Sequence, residues 1–406
     1  MLTSLALIFL VGLLLSSIFQ KLKIHGLLGM LATGLVLGPY ALNLLDSSLL
    51  GISADLRQIA LIIILMRAGL NLYINDLIKV GRPAILMCFV PACFEIVGMV
   101  LIAPTLLGIS VLDAAIMGAV VGAVSPAVIV PKMLHLIENR YGTGQSIPQL
   151  IMAGASVDDV FVIVLFTAFT GLAQGQSISP LRFAQIPISI VLGFAAGVGL
   201  GLLLTLFFKR FHMRDSIKAI ILLNVSFLLV ALETALKGIV PISGLLAVMS
   251  MGAALQKRRC ETAKRLSEIF SGLWIAAEIL LFVLVGATVD IRYAVSAGLM
   301  TVFVVLFALM FRMFGVFCCL LKTELHMKER LFCMIAYLPK ATVQAAIGSI
   351  PLAMGLPCGK IVLTVAVLAI LITAPLGAFG VDMTYKWLLQ KEAEHTAEFA
   401  KETNEI

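Results

Sequence analysis

Along the chain, apolar runs, each about the 20 residues that a helix needs to cross a bilayer, alternate with short polar, glycine-bearing or proline-bearing interruptions. The pattern predicts thirteen transmembrane helices, over residues 2–19, 25–44, 55–72, 83–106, 111–131, 147–174, 183–208, 216–236, 240–256, 267–289, 295–321, 330–356 and 359–388. The runs are continuous instead of alternating at every second residue, which excludes a transmembrane β-barrel. The first run lacks a basic leading segment and a small-residue cleavage site, so it reads as a span and not as a signal peptide. Beyond Lys391 the chain turns polar and acidic, with Glu392, Glu394, Glu398, Glu402 and Glu405, as expected of a short cytosolic tail.

Composition agrees with this pattern. Of 406 residues, 61% are apolar and 13% charged, against about one half and one quarter in soluble chains. That leaves little chain for an extramembrane enzyme domain. The formal net charge of +7 reports orientation and contact with anionic headgroups, not nucleic acid, because the basic residues sit mostly in short loops. Twenty-one Lys and Arg fall in the odd-numbered loops and the C-terminal region and five in the even-numbered loops. The imbalance predicts a cytoplasmic C-terminus and, with thirteen spans, an N-terminus outside.

Thirteen spans divide into two six-span repeats, 1–176 and 213–390, joined by a linker span at 177–212 that inverts the second, with 391–406 as the cytoplasmic tail. The fifth and twelfth spans occupy matching places in this scheme. One is interrupted at Ser125-Pro126 and the other at Pro339-Lys340. Broken helices paired in this way point to a secondary-transporter binding site, although proline also simply kinks membrane helices.

The intramembrane charges carry the chemistry. Asp158 and Asp159 lie well inside the sixth span. An ionised group at the centre of a membrane helix costs about 2.5 kcal/mol or more, so both must face protein or a water-filled cavity. Ser156 shares a helix face with Asp159, so one carboxylate is expected to face a cavity with Ser156 and the other a neighbouring helix. A carboxylate in such a place can hold a proton or a small hard cation but not both well, and that competition couples the two fluxes. Ser125 and Thr342, beside the two breaks, add hydroxyls and freed carbonyl oxygens suited to Na⁺ or Li⁺. Glu95 and Arg312 are isolated intramembrane charges. Arg312 pairs either with Glu95 or, in one transport state, with Asp158. Lys340 is placed either to neutralise the end of the first half-helix of its own span or to take part in ion handling. Arg67 is expected to snorkel, and Gly193, Gly197 and Gly201 to let the seventh span approach another helix closely.

The strings GAVSPAVIVPKML (122–134), MAGASVDDVFVI (152–163) and YLPKATVQAAIGS (337–349), with RAGLNL (67–72) and FVLVGATVD (282–290), resemble the sodium/proton antiporters of the cation:proton antiporter-2 (CPA2) family, NHA branch. The resemblance implies an all-α polytopic membrane protein of the sodium/proton antiporter fold, with inverted repeats, two crossed discontinuous helices, elevator-like alternating access and a homodimer. It assigns Na⁺ and proton binding to Asp158 and Asp159, the crossovers to Ser125-Pro126 and Pro339-Lys340, and an intramembrane ion pair to Glu95 and Arg312. Many bacterial members with the Asp-Asp pair carry Lys where this chain has Arg312. An arginine does not readily release its proton, so their electrogenic two-proton stoichiometry is not carried over.

The resulting expectation is a secondary transporter of a bacterial inner membrane that exchanges Na⁺ or Li⁺ for H⁺ and has no cofactor. Exchange of K⁺ for H⁺ and sodium-coupled symport of an organic solute are the alternatives. An intramembrane aspartyl protease is disfavoured, because its two carboxylates face each other from different helices, which adjacent residues of one helix cannot do easily.

Overall fold

The computed structural model describes residues 1–22, 26–72, 81–174, 180–211, 213–236, 240 and 242–392, with backbone only at 156, 160, 180–187 and 291–297. The Ser156 side chain and the tail beyond 392 therefore lie outside the described residues.

Eighteen helices follow in chain order among the described residues. The first nine are α1 (Leu2–Lys21), α2 (Gly26–Leu37), α3 (Ser47–Gly51), α4 (Ser53–Leu70), α5 (Arg82–Met87), α6 (Val90–Leu107), α7 (Val111–Val121), α8 (Pro126–Glu138) and α9 (Ile147–Ala173). The rest are α10 (Pro180–Arg210), α11 (Asp215–Ala235), α12 (Gly244–Arg258), α13 (Cys260–Thr288), α14 (Ile291–Cys319), α15 (Met327–Ala336), α16 (Thr342–Ile347), α17 (Ile350–Ala353) and α18 (Gly359–Leu388).

Among the described residues, nine stretches are long and apolar enough to cross a membrane, fewer than the thirteen apolar runs, and local chemistry explains the difference. The second run stops at Leu37 because Gly38-Pro39 follows. The third, α4, carries Asp55, Arg57 and Arg67, and the ninth, α12, has only 15 residues. The twelfth is divided among α15, α16 and α17.

Packing sorts the helices into two bundles. α1, α2, α4 and α10 to α13 pack together, as do α5 to α9 with α14 to α18. Each bundle draws on both halves of the chain. Contacts between them include α16 against α4 and α13, and α9 against α10.

The glycines of α10 line its approach to α12. A methyl group added at Gly193, Gly197 or Gly201 would run into the backbone carbonyl of Ser243, Ala247 or Met251. At Gly197 the obstacle is backbone and not a flexible side chain, so the helices must separate. Gly197→Ala is expected to lower stability by ~1–3 kcal/mol, the usual range for overpacking. Melting of the purified variant in detergent measures it, and an unchanged melting temperature would mean that the crossing is looser than its geometry.

Both broken helices end for reasons visible in their residues. α7 opens on a reciprocal Ser110 and Asp113 cap and closes at Gly122, and Pro126 then starts α8, where proline lacks only an amide that no helical carbonyl would accept. α15 ends before Leu338-Pro339, because the residue ahead of a proline avoids helical geometry. At the end of α18, the 390–392 segment pairs with 140–142 through Gly142 N–H to the Gln390 carbonyl at 2.8 Å and Glu392 N–H to the Arg140 carbonyl at 2.9 Å.

Candidate ion-binding site

The two breaks cross. Ser125 N–H donates to the Pro339 carbonyl at 2.8 Å, and the Ser125 and Thr342 hydroxyls, both buried, lie 3.5 Å apart. Pro126 and Pro339 thus place the unwound residues 122–125 and 337–341 against one another. Unwinding frees backbone carbonyls that need donors in a medium without water. Donors from the other elements supply them. Lys340 Nζ donates to the Val121 carbonyl and Arg312 Nη1 to the Gly122 carbonyl. Gln344 Nε2 reaches the Val121 carbonyl at 3.3 Å and the Ala123 carbonyl at 2.9 Å.

This arrangement corrects one expectation. Lys340 neutralises the carbonyl end of α7, in the other broken helix, and not the end of α15 in its own, because α16 crosses beneath the first break. The carbonyls of residues 121–123 accept from protein donors.

Four charged side chains are joined into one buried chain. Arg312 Nη2 donates to Asp158 Oδ2 at 2.7 Å and Nη1 to Glu95 Oε2 at 2.9 Å, while Lys340 Nζ lies 2.7 Å from Glu95. Asp158, Arg312 and Lys340 are 0% exposed and Glu95 1%, so solvent screening is negligible and the alternating signs hold the group together. The choice between Glu95 and Asp158 as the Arg312 partner dissolves, because the planar fork of a guanidinium serves both carboxylates. Its Nε also donates to the Tyr337 carbonyl at 2.9 Å, and the guanidinium lies 5.4 Å from the Tyr337 ring centroid.

The two aspartates differ in their surroundings. Asp158 Oδ2 accepts from Arg312 and, at 2.9 Å, from Val124 N–H in the first break. Asp158 Oδ1 and Asp159 Oδ1 are both buried and, among the described residues, without a hydrogen-bond partner. Asp159 is 6% exposed and stands outside the ion-paired chain, within electrostatic reach of Asp158 and Arg312. Two buried oxygens with unsatisfied acceptor capacity on adjacent residues suit a proton or a hard monovalent cation.

Two residues escaped the reading of the sequence. Gln344 carries no signal of its own in the sequence, and only the crossing gives its amide two carbonyls. Glu278, partly buried in α13, lies within electrostatic reach of Arg67 on α4, so Arg67 has a carboxylate in its surroundings and does not depend on snorkelling alone. A Glu in the middle of the apolar run 267–289, ten residues beyond Glu268 near its start, was the available signal for Glu278.

Residues 5–387 match the family profile described as "Sodium/hydrogen exchanger, transmembrane". Sodium/hydrogen exchanger 9B2 of Mus musculus is 34% identical over 359 residues, 85% of this chain and 65% of the relative. Sodium/hydrogen exchanger 9B1 of Homo sapiens is 32% identical over 340 residues, 80% of this chain and 65% of the relative. The matches thus cover just under two thirds of the length of these relatives. Among solved structures, the sodium proton antiporter MjNhaP1 of Methanocaldococcus jannaschii at pH 8 superposes with a TM-score of 0.85 at 20% identity, covering 95% of this chain and 98% of that one. The likeness in fold therefore extends over almost the whole chain.

Proposed function

We propose, from the premise that this chain belongs to the sodium/hydrogen exchanger family, that it exchanges Na⁺ or Li⁺ for H⁺ across a membrane, with Asp159 holding proton and cation by turns. The family is one of integral membrane transporters, not enzymes. Within it, we place the chain in the NHA branch of the CPA2 group. The adjacent carboxylates and the string at 337–349 support that placement.

The observation that carries the mechanism is the charge balance. With Asp158 and Glu95 ionised and Arg312 and Lys340 protonated, the ion-paired chain sums to zero. Asp159 adds one negative charge, which one proton or one monovalent cation cancels. The unpartnered oxygens of Asp159 and Asp158 are the first ligands for either, and Ser125 and Thr342 stand at the crossing as further oxygen ligands. Ser156 is assigned to the same helix face from its spacing alone.

Coupling follows from electrostatics. A loaded site is neutral and can pass through a low-dielectric barrier, while an empty, ionised Asp159 carries a charge whose burial costs several kcal/mol. We assign the movement to the bundle of α5 to α9 with α14 to α18, sliding elevator-like against the other bundle, which forms the homodimer. Thirteen membrane passes in two inverted repeats, 1–176 and 213–390, with 177–212 as linker and 391–406 as tail, complete the reading. The N-terminus lies outside and the C-terminus in the cytoplasm of a bacterial inner membrane. The basic loops support that orientation, and the paired breaks support the repeats.

Proteoliposomes carrying a pH dye test the competition. The cation concentration for half-maximal response should rise by about tenfold for each unit of falling pH per competing proton. A slope near one is expected, since Asp159 is the carboxylate of this cluster that stands outside its ion pairs, and saturating cation should restore a similar maximal rate. A half-saturation independent of pH would exclude a shared site. A slope near two would bring Asp158 into the exchange.

A further inference from the structure

We infer that Gln344 is a positioning residue for cation binding, acting through a single peptide group of the first break on Asp158. This rests on the reading of Asp158 and Asp159 as the binding pair. Gln344 is 1% exposed, and its Nε2 donates to the Ala123 carbonyl at 2.9 Å. The N–H of that same peptide group, on Val124, donates to Asp158 Oδ2 at 2.9 Å. A trans peptide points its C=O and N–H in opposite directions, so Gln344 and Asp158 grip one rigid plane from its two ends. The amide orientation of Gln344 is fixed by chemistry, because both of its near partners are carbonyls and only the nitrogen can donate to them.

Two effects follow. The bond to the carbonyl prevents the Ala123–Val124 peptide from rotating, where no helical hydrogen bond would otherwise hold it. It also polarises the peptide and strengthens its N–H as a donor, as linked hydrogen bonds do. Asp158 Oδ2 is thereby held by Val124 and Arg312, which leaves Oδ1 in a defined place beside Asp159. Gln344 Oε1 is itself buried and, among the described residues, without a partner. A residue chosen only to fill this volume would not bring an unsatisfied oxygen with it, so the two donated bonds are the reason to have an amide here.

The test is a Na⁺ titration of melting temperature for the purified full chain in detergent, with choline chloride holding ionic strength constant. Gln344→Met keeps the volume and removes both donors. It should raise the half-saturating Na⁺ concentration roughly tenfold, the order expected for one linked hydrogen bond. Gln344→Asn retracts the amide by one methylene and should fall between Met and the parent; it decides the matter alone if the Met variant does not fold. Lower melting with the parent's half-saturation in both variants would overturn the inference, since the amide would then only pack. Asp159→Asn separates this from the reading beneath it. Loss of the Na⁺ response there upholds the site, and a response like the parent's removes the site and the role of Gln344 together.

Discussion

Asp159→Asn is expected to abolish cation-driven proton movement while leaving the protein folded. The asparagine keeps the shape but removes the charge for which proton and cation compete. Stability should be unchanged or improved, because Asp159 takes no part in the buried chain of ion pairs, and its loss removes a carboxylate beside Asp158. Functional residues commonly stand at some cost to stability in this way. Dye-loaded proteoliposomes measure the flux, and detergent melting measures the fold. Wild-type exchange by a folded variant would remove Asp159 from the mechanism.

The second large effect concerns the buried charges. Glu95→Gln leaves Lys340 without a carboxylate partner and Arg312 with Asp158 alone. Removal of one member of a buried ion pair typically costs ~3–5 kcal/mol, because the partner remains buried and uncompensated. Adding Lys340→Met to Glu95→Gln removes the stranded ammonium and leaves the Arg312 and Asp158 pair intact, so the double variant is expected to melt higher than Glu95→Gln alone. Arg312→Met should cost as much as the Glu95 single variant or more. It deprives two carboxylates, the Tyr337 and Gly122 carbonyls and the Tyr337 ring of one shared cation. A double variant no more stable than the worse of its two singles would show that Glu95 and Lys340 are not coupled as their geometry requires.

Glu95, Arg312 and Lys340 announce themselves in the sequence because a charge inside an apolar run must find a partner. Their partners are not legible there. Glu95 and Lys340 are separated by 245 positions and Arg312 and Asp158 by 154, and nothing local distinguishes one possible pairing from another. Gln344 shows the limit more sharply. A polar amide in a packed span is unremarked until a second broken helix is laid across it.

What the sequence by itself determined about this protein is everything that depends on neighbours along the chain. Apolar run length made it an all-helical membrane protein, proline and glycine placed the breaks near residues 122–126 and 337–341, and the juxtaposition of Asp158 and Asp159 marked the candidate site. Helix geometry is a short-range property, so these features survive without knowledge of the fold. Only the tertiary structure decided which carbonyl each donor meets, why Lys340 serves α7 instead of α15, and why Asp158 is ion-paired while Asp159 is not. Those outcomes turn on ångström distances between segments remote in sequence, where a buried donor has no water to fall back on and must take whichever acceptor the crossing brings within reach.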